Sequence, residues 1–114
     1  MANPSAVYKQ RDQLPYFDCT LSDVNGARDL TGETVRFVLK SQAGTGIVDE
    51  TSTGANVVVL DSTAGRVRYK WQADDLAEAG NYNAEWETTN ASSEKLSYPN
   101  DSHIEIVVKP ELST

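Results

Sequence analysis

Residues 80–88 alternate apolar and polar side chains with a period of two. The apolar set is Tyr82, Ala84 and Trp86, and the polar set is Asn83, Glu85 and Glu87. Because successive side chains of a β-strand point to opposite faces, this pattern predicts a strand with one buried face and one wet, acidic face. Most other apolar segments of the chain repeat the pattern, so the sequence indicates β-structure throughout.

Turn signals separate these alternating segments. Asn25-Gly26, Thr31-Gly32 and Ala64-Gly65 are sequences typical of tight turns. Residues 73–79 are the one helix-capable stretch, with about two turns at most, and Gly80 ends it. About seven short strands with regularly spaced turns are typical of a sandwich. We therefore predict an all-β fold, an immunoglobulin-like antiparallel β-sandwich of about seven strands with one short helical turn.

The predicted core consists of the apolar residues that share the inward parity of their strands. They are Phe17, Leu21, Val35, Phe37, Leu39, Val67, Tyr69, Trp71, Tyr82, Ala84, Trp86, Ile104, Ile106 and Val108. Residues 78–84 favour immunoglobulin-like topology, because they resemble the tyrosine corner that leads into a late strand of that fold. A glycine turn before a strand with a buried tyrosine explains the same residues equally well.

Composition excludes several classes of function. With 10 basic and 17 acidic residues the net charge is −7, and phosphate binding needs clustered cations, so we expect no nucleic-acid partner. The single cysteine excludes an internal disulfide. The longest purely apolar run is residues 57–60, so we expect no membrane partner. The N-terminal residues lack the pattern of a signal peptide, which predicts synthesis in a cytoplasm.

Candidate catalytic groups are few. Cys19 shares the inward parity of Phe17, which favours a buried structural thiol, and His103 stands at the start of the last strand. Glu85 and Glu87 lie about 7 Å apart on one strand face, a spacing compatible with a glycosidase acid/base pair. Acidic residues on the wet face of a strand are common, so we expect no catalysis there.

Ligand-binding motifs are equally sparse. The sequence contains no glycine-rich phosphate loop and no zinc spacing, so no cofactor is expected. Asp23, Asn25 and Asp29 lie in a loop that partly matches a calcium-binding loop, although the closing glutamate of an EF-hand is missing. A hairpin turn explains this loop, and a weak cation site is the alternative.

Three segments are candidates for contact with a partner, and the first is the arm with Tyr8, Lys9 and Gln10. Arg66, Arg68 and Lys70 form a basic row that faces away from the core; it either pairs across strands with the acidic row of residues 83–87 or forms part of a charged docking surface. Residues 57–60 are continuously apolar, as expected of a strand covered on both sides or lying at an interface.

Five phrases, in order and with their spacing, resemble one protein family. They are YKQRD at residues 8–12, DLTGETVRFV at 29–38, AGRVRYKW at 64–71, AGNYNAEW at 79–86 and YPND at 98–101. The chain resembles the small immunoglobulin-like phage proteins related to the N-terminal domain of siphophage baseplate upper proteins. The resemblance implies a non-enzymatic virion structural protein that docks onto other virion proteins, often in several copies. Baseplate upper proteins carry long C-terminal regions that hold receptor-binding proteins; at 114 residues we expect a stand-alone module instead.

These observations predict an N-terminal arm over residues 1–14, a β-sandwich domain over 15–110 and a C-terminal tail over 111–114. The predicted function is that of a structural module of a tailed-phage virion, on the tail or baseplate, the connector or the capsid. The alternative is a carbohydrate-binding or host-adhesion module, which would need an exposed Trp71 or Trp86. The predicted partner-binding residues are Tyr8, Lys9, Gln10, Val57, Val58, Val59, Leu60, Arg66 and Arg68.

Overall fold

The computed structural model describes residues 5–23, 26–98 and 104–110, and the regular structure in these ranges is entirely β. The strands are β1 (Ser5–Lys9), β2 (Phe17–Thr20), β3 (Ser22–Asp23), β4 (Gly26–Ala27), β5 (Thr34–Ser41), β6 (Gly46–Thr51), β7 (Val57–Asp61), β8 (Arg66–Tyr69), β9 (Gly80–Thr89), β10 (Lys95–Tyr98) and β11 (Ile104–Lys109). In the same ranges no helix is long and apolar enough to cross a membrane.

The strands form two main layers. The larger sheet has the order β1-β11-β9-β5-β6, with β10 also paired to β9, and the smaller sheet has the order β2-β8-β7. Strands β3 and β4 make a separate small hairpin. Phe37 of the larger sheet stacks on Tyr69 of the smaller one, with ring centroids 4.6 Å apart, so the two inner faces meet in one core. The predicted β-sandwich is confirmed.

The core lies between the two sheets and is rich in aromatic rings. Every residue of the predicted core is buried. The core prediction was correct because apolar and polar residues alternate strictly along the strands, and a residue's position in that alternation determines the face on which its side chain lies. The further buried hydrophobic residues are Tyr8, Leu30, Val48, Val57, Leu76 and Tyr98. Leu30 and Leu76 lie outside the strands, where no period marks them, and the other four lie in strands β1, β6, β7 and β10.

The segment predicted as an N-terminal arm contains strand β1. This strand pairs in parallel with β11, from Ser5 opposite Glu105 to Lys9 opposite Lys109. Its inward side chain, Tyr8, is 6% exposed and packs edge-on against Trp71 at 5.2 Å between ring centroids. A parallel partner about a hundred residues away leaves no turn signal beside β1, so the local sequence gave no hairpin pattern for this strand.

Residues 73–79 form a turn instead of the predicted helical segment. The Asp75 amide donates to the Gln72 carbonyl at 3.1 Å, and the Asp75 carboxylate accepts from the Gln72 amide at 2.8 Å. Leu76 is fully buried in the core, and its carbonyl accepts a hydrogen bond from the Arg11 amide. These tertiary contacts hold the segment in one turn that seals an end of the sandwich.

The approach to β9 is a tyrosine corner. The Tyr82 hydroxyl donates to the Glu78 carbonyl at 2.7 Å, and the ring is buried. A tyrosine near the start of a late strand that bonds back to the backbone upstream is the hallmark of this corner in immunoglobulin-like domains. Of the two explanations that the sequence left open for residues 78–84, the structure therefore supports the corner.

Replacing Tyr82 with phenylalanine is expected to lower the free energy of unfolding by about 1 kcal/mol, because the Glu78 carbonyl loses its donor while the ring stays packed. Urea unfolding followed by circular dichroism measures the change. Tyr16→Phe is the matched control, since that hydroxyl makes no hydrogen bond in the described structure and its ring is partly exposed. Equal stability of the two variants would contradict a stabilising corner.

Candidate docking surface

The outer face of the smaller sheet carries the basic row that the sequence singled out. Val67 and Tyr69 of β8 point into the core, so the alternating Arg66 and Arg68 point outward. The strand register places Arg68 between Asp18 of β2 and Val58 of β7. This face therefore combines cations with apolar side chains from a neighbouring strand.

Arg68 is held firmly in place on this face. Its Nε and Nη2 donate to the two carboxylate oxygens of Asp18 at 2.7 and 3.0 Å, a bidentate pair. These hydrogen bonds lower the pKa of Asp18 below its ordinary value. The Arg68 guanidinium also lies 5.0 Å from the ring centroid of Tyr16, and the Lys70 ammonium lies 6.0 Å from it. Tyr16 is thus an exposed ring flanked by two cations.

We call this surface the cationic face. Its members are Tyr16, Val58, Leu60, Arg66, Arg68 and Lys70. Leu60 and Tyr16 are each 37% exposed, so the face offers apolar as well as charged area. The sequence predicted the row of three cations but missed Tyr16. Tyr16 lies outside the alternating run of β2, so only its position directly before that strand could have indicated it.

The apolar strand β7 places side chains on both faces of the smaller sheet. Val57 is buried and Val59 packs against the core, whereas Val58 and Leu60 lie outward. The register shifts between Val59 and Asp61, a bulge that opposes Leu60 and Asp61 to a single residue of β8. The strand lies at the edge of its sheet. Its continuous apolar run contributes Val57 to the core, and Leu60 stays 37% exposed in the described structure.

The other predicted contact residues lie on the larger sheet. Tyr8 is buried in the core. The Lys9 amide donates to the Asp12 carboxylate at 3.0 Å. The Gln10 side chain donates to the Ala77 carbonyl at 3.2 Å, which ties the end of β1 to the turn before β9. The structure therefore does not bring these three residues together with the cationic face.

The basic row does not pair with the acidic row of β9, because the two strands belong to different sheets. The sequence showed which face each row occupies but not which sheet. Glu87 is instead neighboured by Arg36 at 3.5 Å and Lys95 at 3.8 Å, both on the larger sheet. Arg36 also makes a bidentate pair with Asp49 at 2.7 and 2.8 Å.

Glu85 and Glu87 do not line the depression of the larger sheet together. Glu85 lines an open depression of about 690 Å³ on the outer face of the larger sheet, together with Val38, Lys40 and Ile47. Glu87 does not line it and is engaged by its two cations. An acid/base mechanism needs both carboxylates to face one substrate.

The loop that partly matches a calcium site uses its carboxylates internally. Asp23 pairs with Arg28 at 3.5 Å, and the Asp29 carboxylate accepts from the Thr31 amide and hydroxyl at 3.0 and 2.6 Å. Asn25, like His103, lies outside the described residues. Within the described ranges no group of three or more His, Cys, Asp or Glu residues is arranged to hold a metal ion.

Cys19 packs against the core, and burial raises the pKa of its thiol to about 11. Thiolate is the reactive form, so at pH 8 we expect the folded chain to react with iodoacetamide about 100-fold more slowly than the urea-unfolded chain. Mass spectrometry of timed samples measures both rates. Equal rates would show that Cys19 is freely ionised and accessible in the folded protein.

Both tryptophans lie in the core. Trp71 is 2% and Trp86 0% exposed, as their parity predicted. The carbohydrate-binding alternative needs an exposed indole as a platform for a sugar ring, and neither indole is placed to act as one.

The geometry defines a class: an all-β sandwich whose two tryptophans lie in the core and whose smaller sheet carries a row of cations on its outer face. The sequence of residues 7–103 matches the family model of the BppU N-terminal domain. The chain therefore belongs to this family, the N-terminal domain of baseplate upper proteins, which is a family of phage baseplate structural domains and not of enzymes.

Comparison with solved structures agrees on the fold. The crystal structure of CopC from Methylosinus trichosporium OB3b matches with a TM-score of 0.55, covering 100% of this chain and 90% of that one. The two sequences are 8% identical, so the likeness concerns the fold alone. No curated protein matches the sequence significantly.

Proposed function

We propose that this chain is a non-enzymatic structural module of a tailed-phage virion. It docks in several copies onto neighbouring virion proteins and acts through the shape and charge of its surfaces. Family membership supports the baseplate over the connector or the capsid. A baseplate component is part of the virion and contacts other virion proteins.

One structural observation supports docking through the smaller sheet. The outer face of that sheet is left uncovered by the rest of the described chain, although it presents Tyr16 and Leu60 beside a row of cations. Aromatic and arginine side chains are enriched in protein interfaces, where they provide most of the binding energy. The cationic face has this composition. In the depression on the larger sheet, by contrast, Arg36 is already paired with Asp49.

The amount of this protein in purified particles tests the proposal. Gradient-purified virions are compared, by quantitative mass spectrometry, with particles of a mutant phage that assembles tails without baseplates. We expect several copies per virion and none in the baseplate-deficient particles. Retention in those particles would place the module elsewhere in the virion, and absence from complete virions would refute a structural role.

A further inference from the structure

The cationic face is basic in a chain that is otherwise acidic. The whole chain has a net charge of −7, yet this face presents Arg66, Arg68 and Lys70. Among the carboxylates next to these cations, Asp18 forms an ion pair with Arg68. Asp61 stands opposite Arg66 in the strand register, but its carboxylate accepts hydrogen bonds from Thr63 and Ala64 in the following turn.

Two cations of the face therefore remain available for a partner. In the described part of the chain, neither Arg66 nor Lys70 makes an ion pair. The Lys70 ammonium lies near the ring of Tyr16. Lys70 directly follows β8 and lies four positions after Arg66, which sets their Cα atoms about 13 Å apart in extended backbone. Between them lies the fixed Arg68–Asp18 pair with Tyr16, and Leu60 lies exposed on the neighbouring strand.

We propose that the cationic face docks onto an acidic surface of a different virion protein, with two carboxylates about 13 Å apart that meet Arg66 and Lys70. Apolar side chains of that surface pack on Tyr16, which lies beside Arg68 and Lys70, and on Leu60, which lies on β7 at the level of Arg66. This inference rests on the proposed function and names the chemistry of its partner. Two cations about 13 Å apart on either side of the Arg68–Asp18 pair set the orientation of such a partner as well as attracting it.

The charges of the chain favour this partner over others. A net charge of −7 repels a phosphate polymer or an anionic membrane at any distance beyond direct contact. The same charge makes two copies of the chain repel each other, which disfavours a second copy as the occupant. A different protein with only a local acidic patch is not subject to either repulsion.

Charge reversal in assembled particles tests the proposal. R66E/K70E removes both free cations but keeps the Arg68–Asp18 pair, and K40E/K109E is a control of identical net charge on exposed positions of the larger sheet. Each variant replaces the wild-type chain during phage growth, and its amount per particle is measured by mass spectrometry. Thermal unfolding of the purified variants establishes that both fold.

We expect incorporation of R66E/K70E to fall by about tenfold or more, because like charges would face each other in the interface, and incorporation of K40E/K109E to stay near wild type. Wild-type incorporation of R66E/K70E would overturn this inference while leaving the proposed function intact. A wild-type chain absent from particles would overturn the proposed function itself. Equal loss of both variants would attribute the effect to net charge and overturn the role of the face.

A second measurement identifies the partner chemistry in solution. The isotopically labelled chain is titrated with the peptide Ac-Glu-Leu-Glu-Leu-Glu-Leu-NH₂ and with its glutamine analogue, and amide shifts are followed by NMR. We expect shifts on β2, β7 and β8 with the glutamate peptide only, lost in R66E/K70E. Equal shifts with the glutamine peptide would overturn the carboxylate assignment. Self-association of the free chain that R66E/K70E abolishes, seen by sedimentation, would reassign the partner to a second copy.

Discussion

Replacing Trp86 with alanine is expected to lower the free energy of unfolding by about 3–5 kcal/mol. Trp86 is fully buried in the middle of the larger sheet, and its ring lies 4.7 Å from that of Phe37 and 6.2 Å from that of Phe17, centroid to centroid. The substitution removes this aromatic packing and leaves a cavity that flanking strands on both sides cannot close, because β9 is paired to β5 and to β10 and β11.

Urea unfolding of the purified chain measures this loss. Since small domains are stable by only about 5–15 kcal/mol, Trp86→Ala is expected to leave a marginal fold or none at 37 °C. Trp86→Phe is the control, because a phenyl ring fills most of the same space and should cost clearly less. A loss of less than about 1 kcal/mol in Trp86→Ala would show that this ring does not anchor the core.

Gly65→Ala is expected to destabilise the chain by about 2–5 kcal/mol, for two physical reasons that add. Gly65 has φ of 70°, a conformation that side chains disfavour. A Cβ added there would lie 2.6 Å from the Leu21 carbonyl oxygen and 2.7 Å from that of Arg28. Both contacts are with backbone, so relief would require the turn before β8 to move away from its neighbours.

Gly32→Ala is the matched control for the steric part of this effect. Gly32 has φ of 77° but no atom within 4 Å of an added Cβ, so only the backbone penalty of about 1 kcal/mol applies. Thermal or urea unfolding of the two variants gives the difference between them. Equal losses would contradict the close approach of the turn to Leu21 and Arg28.

The inner faces of the strands were predictable because period-two alternation survives in an ordinary antiparallel sheet. Phe37, Trp86 and Ile106 were assigned to the core from parity alone. Strand β1 was not predictable in this way, since among the described strands it pairs with β11, which is far along the chain and parallel to it. Leu30 and Leu76 are buried outside the strands, where no period marks them.

The sequence predicted which cations lie on the candidate docking surface but not which residues surround them. Alternation placed Arg66 and Arg68 on an outer face, yet only the strand order showed that Asp18, and not Glu85 or Glu87, lies beside Arg68. The run of residues 57–60 suggested one apolar surface. The edge position and the bulge of β7 instead divide that run between the core and the cationic face, and neither feature has a local sequence signal.

Cryo-electron microscopy of the purified virion would show directly where the module docks and through which face. We expect density for this β-sandwich at the baseplate, in several copies, with the outer face of β2, β8 and β7 buried against an acidic surface of a neighbouring protein. In that density, Arg66 and Lys70 should each meet a carboxylate. A sandwich that presents this face to solvent and docks through its larger sheet would refute docking through the cationic face.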